Sequence, residues 1–468
     1  MPATPFSHLT ALERAAALAD SGTLELLPHD PGERASVVAA RARIDGRDAV
    51  LVLTDGRLRG GTIGVAEARQ FSQALSAAER WRSAVVIGWD TGGVRVQEGP
   101  AALAATAAVG VALAQLALRG VPVGAVVSGP RGCFGAPAVV AAAGHATIMT
   151  QNALWGLTGP GLLDAGNAGP QAAEAAMSAA QRRLRHHATA IVADSAAAIR
   201  RQLVRVLAAR RRRVGGRRVL DDAVRTTEAL AAQLPPATPA AAPESARRRR
   251  DFFAYSFRRQ WRPLGPSIRM GHVHAAWGEL SGAPAMAIIV GPDRPHEGIG
   301  VADAHAVLRA LRLAADASSG TSPAPIITFL FCRGHASTLD EEGAGLPRAL
   351  AECLRGQVTA RLLGHPLICV LGGGAYGAAY LALAAPSHRI LAIRGTAVAP
   401  MAPRVLATFQ RLRGMRAAPD TPPDLARMVP EIRIVESVVR LPRVLSEELE
   451  HARRLVALEP RLRRFAGR

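Results

Sequence analysis

The sequence predicts an α/β protein made of two copies of one unit, each a mainly parallel sheet with helices between its strands. Three observations predict it. Short, wholly apolar runs alternate with Ala-rich helical stretches in both halves of the chain, as strands covered on both faces do. Ile63-Gly64-Val65-Ala66-Glu67-Ala68 recurs 236 residues later as Ile299-Gly300-Val301-Ala302-Asp303-Ala304. Two further pairs follow in the same order, Glu98-Gly99 with Glu342-Gly343 and His145 with His388, at offsets of 244 and 243. Two copies of one fold direct the search for function to paired loops.

The elements follow in order. The N-terminal stretch reads as an amphipathic helix capped by Ser7 or Thr10. In the first half, 48–54 reads as a strand, about 66–80 as a helix after Gly60-Gly61, and 84–88 as a second strand running into Asp90-Thr91-Gly92-Gly93. An Ala-rich helix follows over 101–118, then a strand over 121–127 that ends in Ser128 to Gly135, another helix, and a strand over 146–150. The second half repeats this with strands at 285–290, 325–331, 366–371 and 389–393 and a helix over 302–315. Its loops are Cys332-Arg333-Gly334-His335 and Gly372-Gly373-Gly374-Ala375-Tyr376-Gly377. The expected domains are 1–232 and 271–468, joined by a Pro/Ala/Arg-rich linker over 233–270.

Composition narrows the function classes. Every one of the 57 basic residues is arginine and the net charge is +20. The runs Arg210 to Arg213, Arg217-Arg218 and Arg247 to Arg250 carry no zinc-finger spacing or base-stacking aromatics, so they read as solvated helix or linker rather than a nucleic-acid footprint. The adjacent pair His186-His187, in an Arg-rich helical stretch, reads as solvated. Four scattered cysteines, Cys133, Cys332, Cys353 and Cys369, form no CxxC pair, which fits a reducing cytoplasm. The N-terminus has no basic-then-apolar leader, and 101–118, interrupted by Thr106 and Gln115, reads as a buried helix rather than a membrane span. There is no HExxH or other helical metal spacing, so no metal is expected. Neither a P-loop ending nor a GxSxG elbow is present.

The Gly-rich loops carry the chemistry. Glycine lets backbone approach a ligand closely and adopt positive φ, and a helix start offers free N–H groups with a partial positive charge. Two such loops can aim two N–H donors at one developing oxyanion. The pairs are Asp90 to Gly93 with Gly132 to Gly135, and Gly334-His335 with Gly373 to Tyr376. The competing account is that these are tight strand–helix turns needing glycine for packing alone. Cys133, at a helix start, is either an activated thiol or small buried filler.

Asp90-Thr-Gly-Gly-Val-Arg-Val-Gln-Glu98, Gly132-Cys-Phe-Gly135 and Gly156-Leu-Thr-Gly-Pro160 resemble the carboxyltransferase-like beta subunit of malonate decarboxylase. Residues 364–382, with Ala375, Ala379, Leu381 and Ala382 in register, resemble its gamma subunit. The resemblance covers about 8–165 and, more loosely, 280–440. It implies a fused beta–gamma chain of two crotonase-type (carboxyltransferase-type) spiral ββα domains in tandem. The implied reaction is decarboxylation of a malonyl thioester on an acyl carrier protein, through an enolate held by backbone oxyanion holes.

The implied cofactor is not bound covalently; it is the phosphoribosyl-dephospho-coenzyme A arm of the carrier. The implied partners are the acyl carrier protein subunit, the acyl-carrier transferase alpha subunit and the malonyl thioester. Neither nucleic acid nor membrane is expected, and a homo-oligomer fits the reading. The expected catalytic residues are Gly92, Gly93, Gly132, Cys133, Phe134, Gly334, His335, Gly373, Gly374 and Tyr376; the enolate needs an acid, with His335 and Tyr376 as candidates, or a water to protonate it. Thr91, Arg95, Arg131, Gly135, Thr158, Gly159 and Ala375 are expected to bind substrate.

The sequence departs from the family pattern in places. Gly161 follows Pro160 where a Glu is expected, with Asp164 further on, and a Thr-Gly-Gly segment is replaced near Ser178-Ala179-Ala180. In the gamma half Gly373-Gly374 replaces a Gly-Lys pair, and Arg131, Arg333 or Arg404 would have to supply the lost positive charge. Two alternatives stay open: transfer of the carboxyl group to biotin or another acyl thioester, and a scaffold subunit that keeps the fold without turnover.

Overall fold

The computed structural model describes residues 4–28, 36–163, 169–209, 215–235, 261–291, 298–318, 322–332, 334–413, 425, 429 and 432–458. Residues 236–260 of the expected linker, the runs Arg210 to Arg213 and Arg247 to Arg250, Asp164 and Arg333 lie outside them. The chain forms two units. The first comprises Met1–Arg213, Ser337–Ala351 and Thr408–Ala417; the second comprises Val214–Ala336, Glu352–Ala407 and Ala418–Arg468.

In the first unit a seven-stranded sheet runs in chain order: β1 (Glu25–Leu26), β2 (Val37–Ile44), β3 (Arg47–Thr54), β4 (Ala84–Trp89), β5 (Val123–Val127), β6 (Ala146–Thr150) and β7 (Ala190–Val192). β1, β2 and β3 pair antiparallel, and the rest is parallel. Every residue of β4, β5 and β6 is buried, which is why these strands read as continuous apolar runs.

The helices in this stretch of the chain are α1 (Ala11–Leu18), α2 (Val65–Trp81), α3 (Gly99–Leu118), α4 (Ala136–Ala142), α5 (Gly169–Met177), α6 (Ala179–Leu184) and α7 (Ala196–Ala208). Thr10, not Ser7, caps α1, in a capping box with Glu13; Ser7 binds Asp194 instead. α2 buries Ala68, Phe71, Ala74, Leu75 and Ala78, one stripe at helical spacing. α3 is long and apolar enough to cross a membrane by length and composition, but 67% of its apolar window is buried inside the protein, where it packs against α2 and α4.

The second unit opens with α8 (Gly216–Ala231). Its strands are β8 (Trp261–Met270), β9 (Val273–Leu280), β10 (Ala283–Val290), β11 (Ile326–Leu330), β12 (Leu367–Leu371), β13 (Ala375–Tyr376), β14 (Arg389–Ile393), β15 (Val398–Ala399) and β16 (Ile432–Val435). Its seven-stranded sheet runs β8-β9-β10-β11-β12-β14-β16, and β13 pairs with β15 apart from it. The remaining helices of the chain are α9 (Val301–Ala317), α10 (Leu339–Gly343), α11 (Leu346–Leu362), α12 (Gly377–Ala379), α13 (Pro403–Arg413) and α14 (Leu441–Leu458), with α12 continuing as a π-helical turn over Tyr380–Ala384; α10 belongs to the first unit, and α11 and α13 are divided between the two.

One stretch differs from expectation. Residues 261–270, placed at the end of the linker, form β8. Pro263 and Pro266 gave it the look of linker, and the strand tolerates them because it lies at the sheet edge with an irregularity between Pro263 and Ser267.

Two of the three repeated sequence anchors are structural equivalents. Gly64 and Gly300 take nearly the same extended conformation before α2 and α9, and each N–H is capped by the acid three residues on, Glu67 at 3.0 Å and Asp303 at 2.9 Å. Ile63 N donates to Gly93 O and Ile299 N to Gly334 O, both at 2.9 Å. His145 and His388 each lock the start of the neighbouring strand. Their N–H groups donate to Val123 O and Leu367 O, and their Nδ1 atoms accept from Val123 N at 3.1 Å and Leu367 N at 3.0 Å. The third pair diverges: Glu98 accepts from Val65 N and Arg95, whereas Glu342 belongs to the first unit and binds other groups.

Candidate active site

Asp90, at the end of β4, is the hub of the first unit's loops. Its carboxylate is buried and accepts from Arg14 Nη2 at 3.0 Å, Gly56 N at 3.1 Å and Arg131 N at 2.9 Å, while its own N–H donates to Thr54 Oγ1 at 2.7 Å. Gly56 is glycine for this reason, since a Cβ there would stand 2.6 Å from the carboxylate. The loop beyond is held as firmly. Thr91 is fully buried and its hydroxyl accepts from Gly93 N at 3.1 Å. Arg95 is buried, paired with Glu67 at 2.6 Å and Glu98 at 2.7 Å, and bonded to Thr62 O at 2.8 Å. Burial opposes the Glu67 charge, but the Arg95 hydrogen bond and charge outweigh it and lower its pKa. Thr91 and Arg95, expected to touch substrate, therefore hold the loop.

The second loop touches the first. Gly93 stands at φ +116° and Gly135 at φ +67°; a Cβ on Gly135 would lie 3.6 Å from Gly93 Cα, and one on Gly93 would lie 3.4 Å from Phe134 O. Most N–H groups of the expected donors already have acceptors. Gly92 N donates to Gly60 O at 2.9 Å, Gly132 N to Gly129 O at 3.2 Å, and Cys133 N to Leu154 O at 2.9 Å. Phe134 N donates to Thr91 O at 3.3 Å and Gly135 N to Leu157 O at 3.0 Å. Among the described residues no acceptor is recorded for the N–H groups of Val94 and Ala136, the neighbours of Gly93 and Gly135. These two, which the motif reading passed over, are the donors left to offer.

Side chains at the site sort by exposure. Burial pushes the Cys133 thiol well up, so it is no nucleophile and serves as small filler. Arg131 is exposed, and its side chain donates to Gly56 O at 3.4 Å. Phe134 and Leu154 are half-buried and pack with Leu339 against Leu163, Ala173 and Met177, giving the loop pair an apolar flank. Gly132 meets a structural demand: it stands at φ +69°, and a Cβ would run into Leu154 O.

A third loop, Leu154 to Gly159, supports Gly135. Leu157 N and Thr158 N both donate to Glu342 Oε1, at 2.6 and 2.9 Å, and Thr158 Oγ1 lies 3.3 Å from Ser337 Oγ. Thr158 is buried. Gly159 is half-buried, and a Cβ there would meet no atom within 4 Å. Arg182, 1% exposed, pairs with Glu342 Oε2 at 3.0 Å, donates to Glu342 O and Trp155 O, and stacks on the Trp155 ring. His187, read as solvated, is buried beside Arg182 at 3.3 Å. No sequence signal singled out Arg182 in its arginine-rich surroundings.

The second unit repeats the frame with other side chains. Gly334, at φ +119°, takes the place of Gly93, and His335 that of Val94, bridged to Ile299 as Val94 is to Ile63. Ala375 takes the place of Cys133, bonding Ala397 O at 2.8 Å, and Gly377, at φ +50°, takes the place of Gly135. Tyr376 thus replaces Phe134; it is buried and its ring lies over Gly374, where any Cβ would collide with it. Gly372 likewise makes room for the Phe331 ring, whereas a Cβ on Gly373 would meet Phe331 O at 3.3 Å. Packing therefore accounts for Gly374. An edge of His335 stays accessible, yet crowding by protein lowers its pKa to about 4. At neutral pH it is an uncharged imidazole that donates at most a hydrogen bond, not an imidazolium acid. Arg404 is exposed.

Residues 11–240 match the carboxyl transferase domain family. A malonyl-S-ACP:biotin-protein carboxyltransferase of Malonomonas rubra is 32% identical over 189 residues, 34% of this chain and 59% of that protein. The acetyl-coenzyme A carboxylase carboxyl transferase subunit beta of Pelotomaculum thermopropionicum is 30% identical over 179 residues, covering 34% and 63%. The chain thus spans less than two thirds of the length of these curated relatives. Among solved structures, a Pseudomonas malonate decarboxylase MdcD–MdcE hetero-dimer shares 31% identity over 47% of this chain and 95% of that chain, with a TM-score of 0.41. A Pseudomonas malonate decarboxylase hetero-tetramer in complex with malonate shares 29% identity over 51% of this chain and 95% of that chain, with a TM-score of 0.43.

Proposed function

From the premise that this chain, through residues 11–240, belongs to the carboxyl transferase family, we propose that it decarboxylates a malonyl thioester carried on an acyl carrier protein. The observation that carries the reading is the pair of N–H groups, Val94 and Ala136, beside the contact of Gly93 with Gly135. When the carbon–carbon bond breaks, carbon dioxide leaves and the electron pair passes into an enolate whose charge rests on the thioester oxygen. No base is needed for that step; the protein must fix the carboxylate out of plane and meet the oxygen with preorganised donors. In this reading Val94 N and Ala136 N face that oxygen and Arg131 holds an anionic group of the substrate or of the carrier arm. Phe134 and Leu154 exclude water from the apolar flank. The enolate takes its proton from water, since His335 is not charged at neutral pH and the Tyr376 ring is buried. The phosphoribosyl-dephospho-coenzyme A arm, the carrier protein and an acyl-carrier transferase subunit complete the proposal.

A second reading is transfer of the carboxyl group to biotin, favoured by the name of the Malonomonas rubra relative. Purified chain incubated with malonyl-carrier separates the two. Acetyl-carrier and carbon dioxide formed without any biotin protein, and unaffected by avidin, support decarboxylation. Turnover only when a biotinylated protein is added supports transfer. No product under either condition sinks both and favours the scaffold.

A further inference from the structure

The segment 337–351 comes from the later half of the sequence but belongs to the first unit. Its Glu342, at the end of α10, is fully buried. One carboxylate oxygen takes the N–H groups of Leu157 and Thr158, at 2.6 and 2.9 Å; the other takes Arg182 at 3.0 Å. Arg182 in turn bonds Trp155 O at 2.9 Å and Glu342 O at 2.6 Å, so the pair closes a ring of contacts around the 155–158 loop. Gly156 fits inside that ring, with an added Cβ only 3.2 Å from Glu342 Oε2. The same loop offers Leu157 O to Gly135 N at 3.0 Å, and Gly156 N bonds Cys133 O at 3.1 Å.

We infer that Glu342 is a positioning residue for the first unit's site: with Arg182 it clamps the 155–158 loop, and that loop sets Gly135 and the start of α4. A buried ion pair is weak evidence for stability by itself, because desolvation offsets most of its attraction. Here the charge is matched to two backbone donors of the loop, so its effect is on the geometry of the loop. The repeat supports a specialised role. Glu98, its counterpart in sequence, caps Val65 at the start of α2 and is partly exposed, so the Glu342 arrangement is not inherited from the repeated frame. The catalytic consequence rests on the reading that Ala136 N meets the oxyanion; the clamp itself does not.

The test uses the full chain. Removing Glu342 alone leaves Arg182 buried and unpaired, so the informative variants are doubles. Arg182→Met with Glu342→Gln keeps an acceptor for Leu157 N and Thr158 N. Arg182→Met with Glu342→Met keeps the bulk and removes the acceptor. Hydrogen exchange of peptides covering 152–160 and 133–138 is followed beside kcat and KM. The Met/Met variant should exchange there at least about tenfold faster while β3 to β5 stay protected. Its kcat should fall roughly 30-fold with KM within about threefold, and the Met/Gln variant should restore most of both. Glu342→Asp, which keeps the charge and shortens its reach, should show the same pattern to a smaller degree and serves where Met/Met does not fold.

Unchanged protection in Met/Met or in the Asp variant overturns the clamp, whatever the activity. Faster exchange with unchanged kcat overturns the catalytic role. Faster exchange in a chain whose wild type has no turnover supports the clamp and counts against the decarboxylase reading alone.

Discussion

The two units hold Gly93 and Gly334 at φ +116° and +119° and bridge them to Ile63 and Ile299 by hydrogen bonds of the same length. Around these shared points the chemistry differs. The first unit sets Val94, Phe134 and an exposed Arg131 at its loops, while the second sets His335, a buried Tyr376 and Gly373 at the matching places. Both copies keep the backbone geometry, because sheet register and helix starts constrain it. Side chains lining the loop mouth are free to diverge, because few strand contacts depend on them. A loop frame is therefore weak evidence that both copies perform the same step.

The largest effect should come from the matched glycines. Gly93→Val should lower kcat by about 100-fold or more, because a branched residue cannot hold φ near +116° and the Val94 N–H moves with the loop. Gly334→Val should cost only about tenfold, if the first unit's loops meet the thioester oxygen. Equal losses in steady-state kinetics would show the two loops to be equally engaged, and a larger loss at Gly334 would reverse the assignment.

A smaller effect separates glycines needed for folding. Gly132→Ala drives a Cβ into Leu154 O at φ +69°, backbone against backbone, and should destabilise the first unit by about 2–4 kcal/mol. Gly374→Ala meets the Tyr376 ring, a side chain that can shift, and should cost about 1–2 kcal/mol. Denaturant unfolding measures both, and Gly374→Ala proving the costlier change would break the distinction. Rate loss at Gly132 is thus a poor probe of oxyanion chemistry.

The smallest effect is a difference in acid sensitivity. His335 and His388 of the second unit have pKa values lowered to about 4 and about 3, by burial in both cases with Arg361 adding to it at His388. The unfolded chain takes up protons near pH 6.5 that the folded unit refuses, so stability falls between about pH 6.5 and 4, by on the order of 1 kcal/mol per histidine at pH 5.5. Asp20 and Asp55 of the first unit are lowered to about 2, Asp20 chiefly by Arg200 and Asp55 by Arg57 bonding that outweighs its burial. Their contribution is lost only below about pH 4. Hydrogen exchange at about pH 5 to 5.5 should therefore loosen β11 and β12 before β3 and β4; the reverse order would show that other groups govern acid sensitivity.

Much of the frame was legible in the residues. The apolar runs found β3 to β6, β10 to β12 and β14 to within a few residues, because strands buried on both faces leave no polar alternation. β2, reading VVAARARI, was missed because its arginines and alanines break the apolar pattern. β8 was missed because its prolines read as linker. At the site, the motif drew attention to the loops but not to which of their donors are open. It named Gly92, Gly132, Cys133 and Phe134, whose N–H groups bond within the loops, and passed over Val94 and Ala136 one step along.

The sequence by itself determined the duplication, the α/β alternation, and the glycines where chain direction turns. These follow from hydrophobic period, capping and positive φ, all properties of neighbours along the chain. Only the tertiary structure decided which backbone N–H groups are already bonded, that Asp90 and Arg95 brace loops, and that Glu342 joins Arg182 and the 155–158 loop in the first unit. The reason is physical. A donor's availability depends on whichever carbonyl or carboxylate the fold brings within about 3 Å of it, and for Leu157 that group lies 185 residues away along the chain.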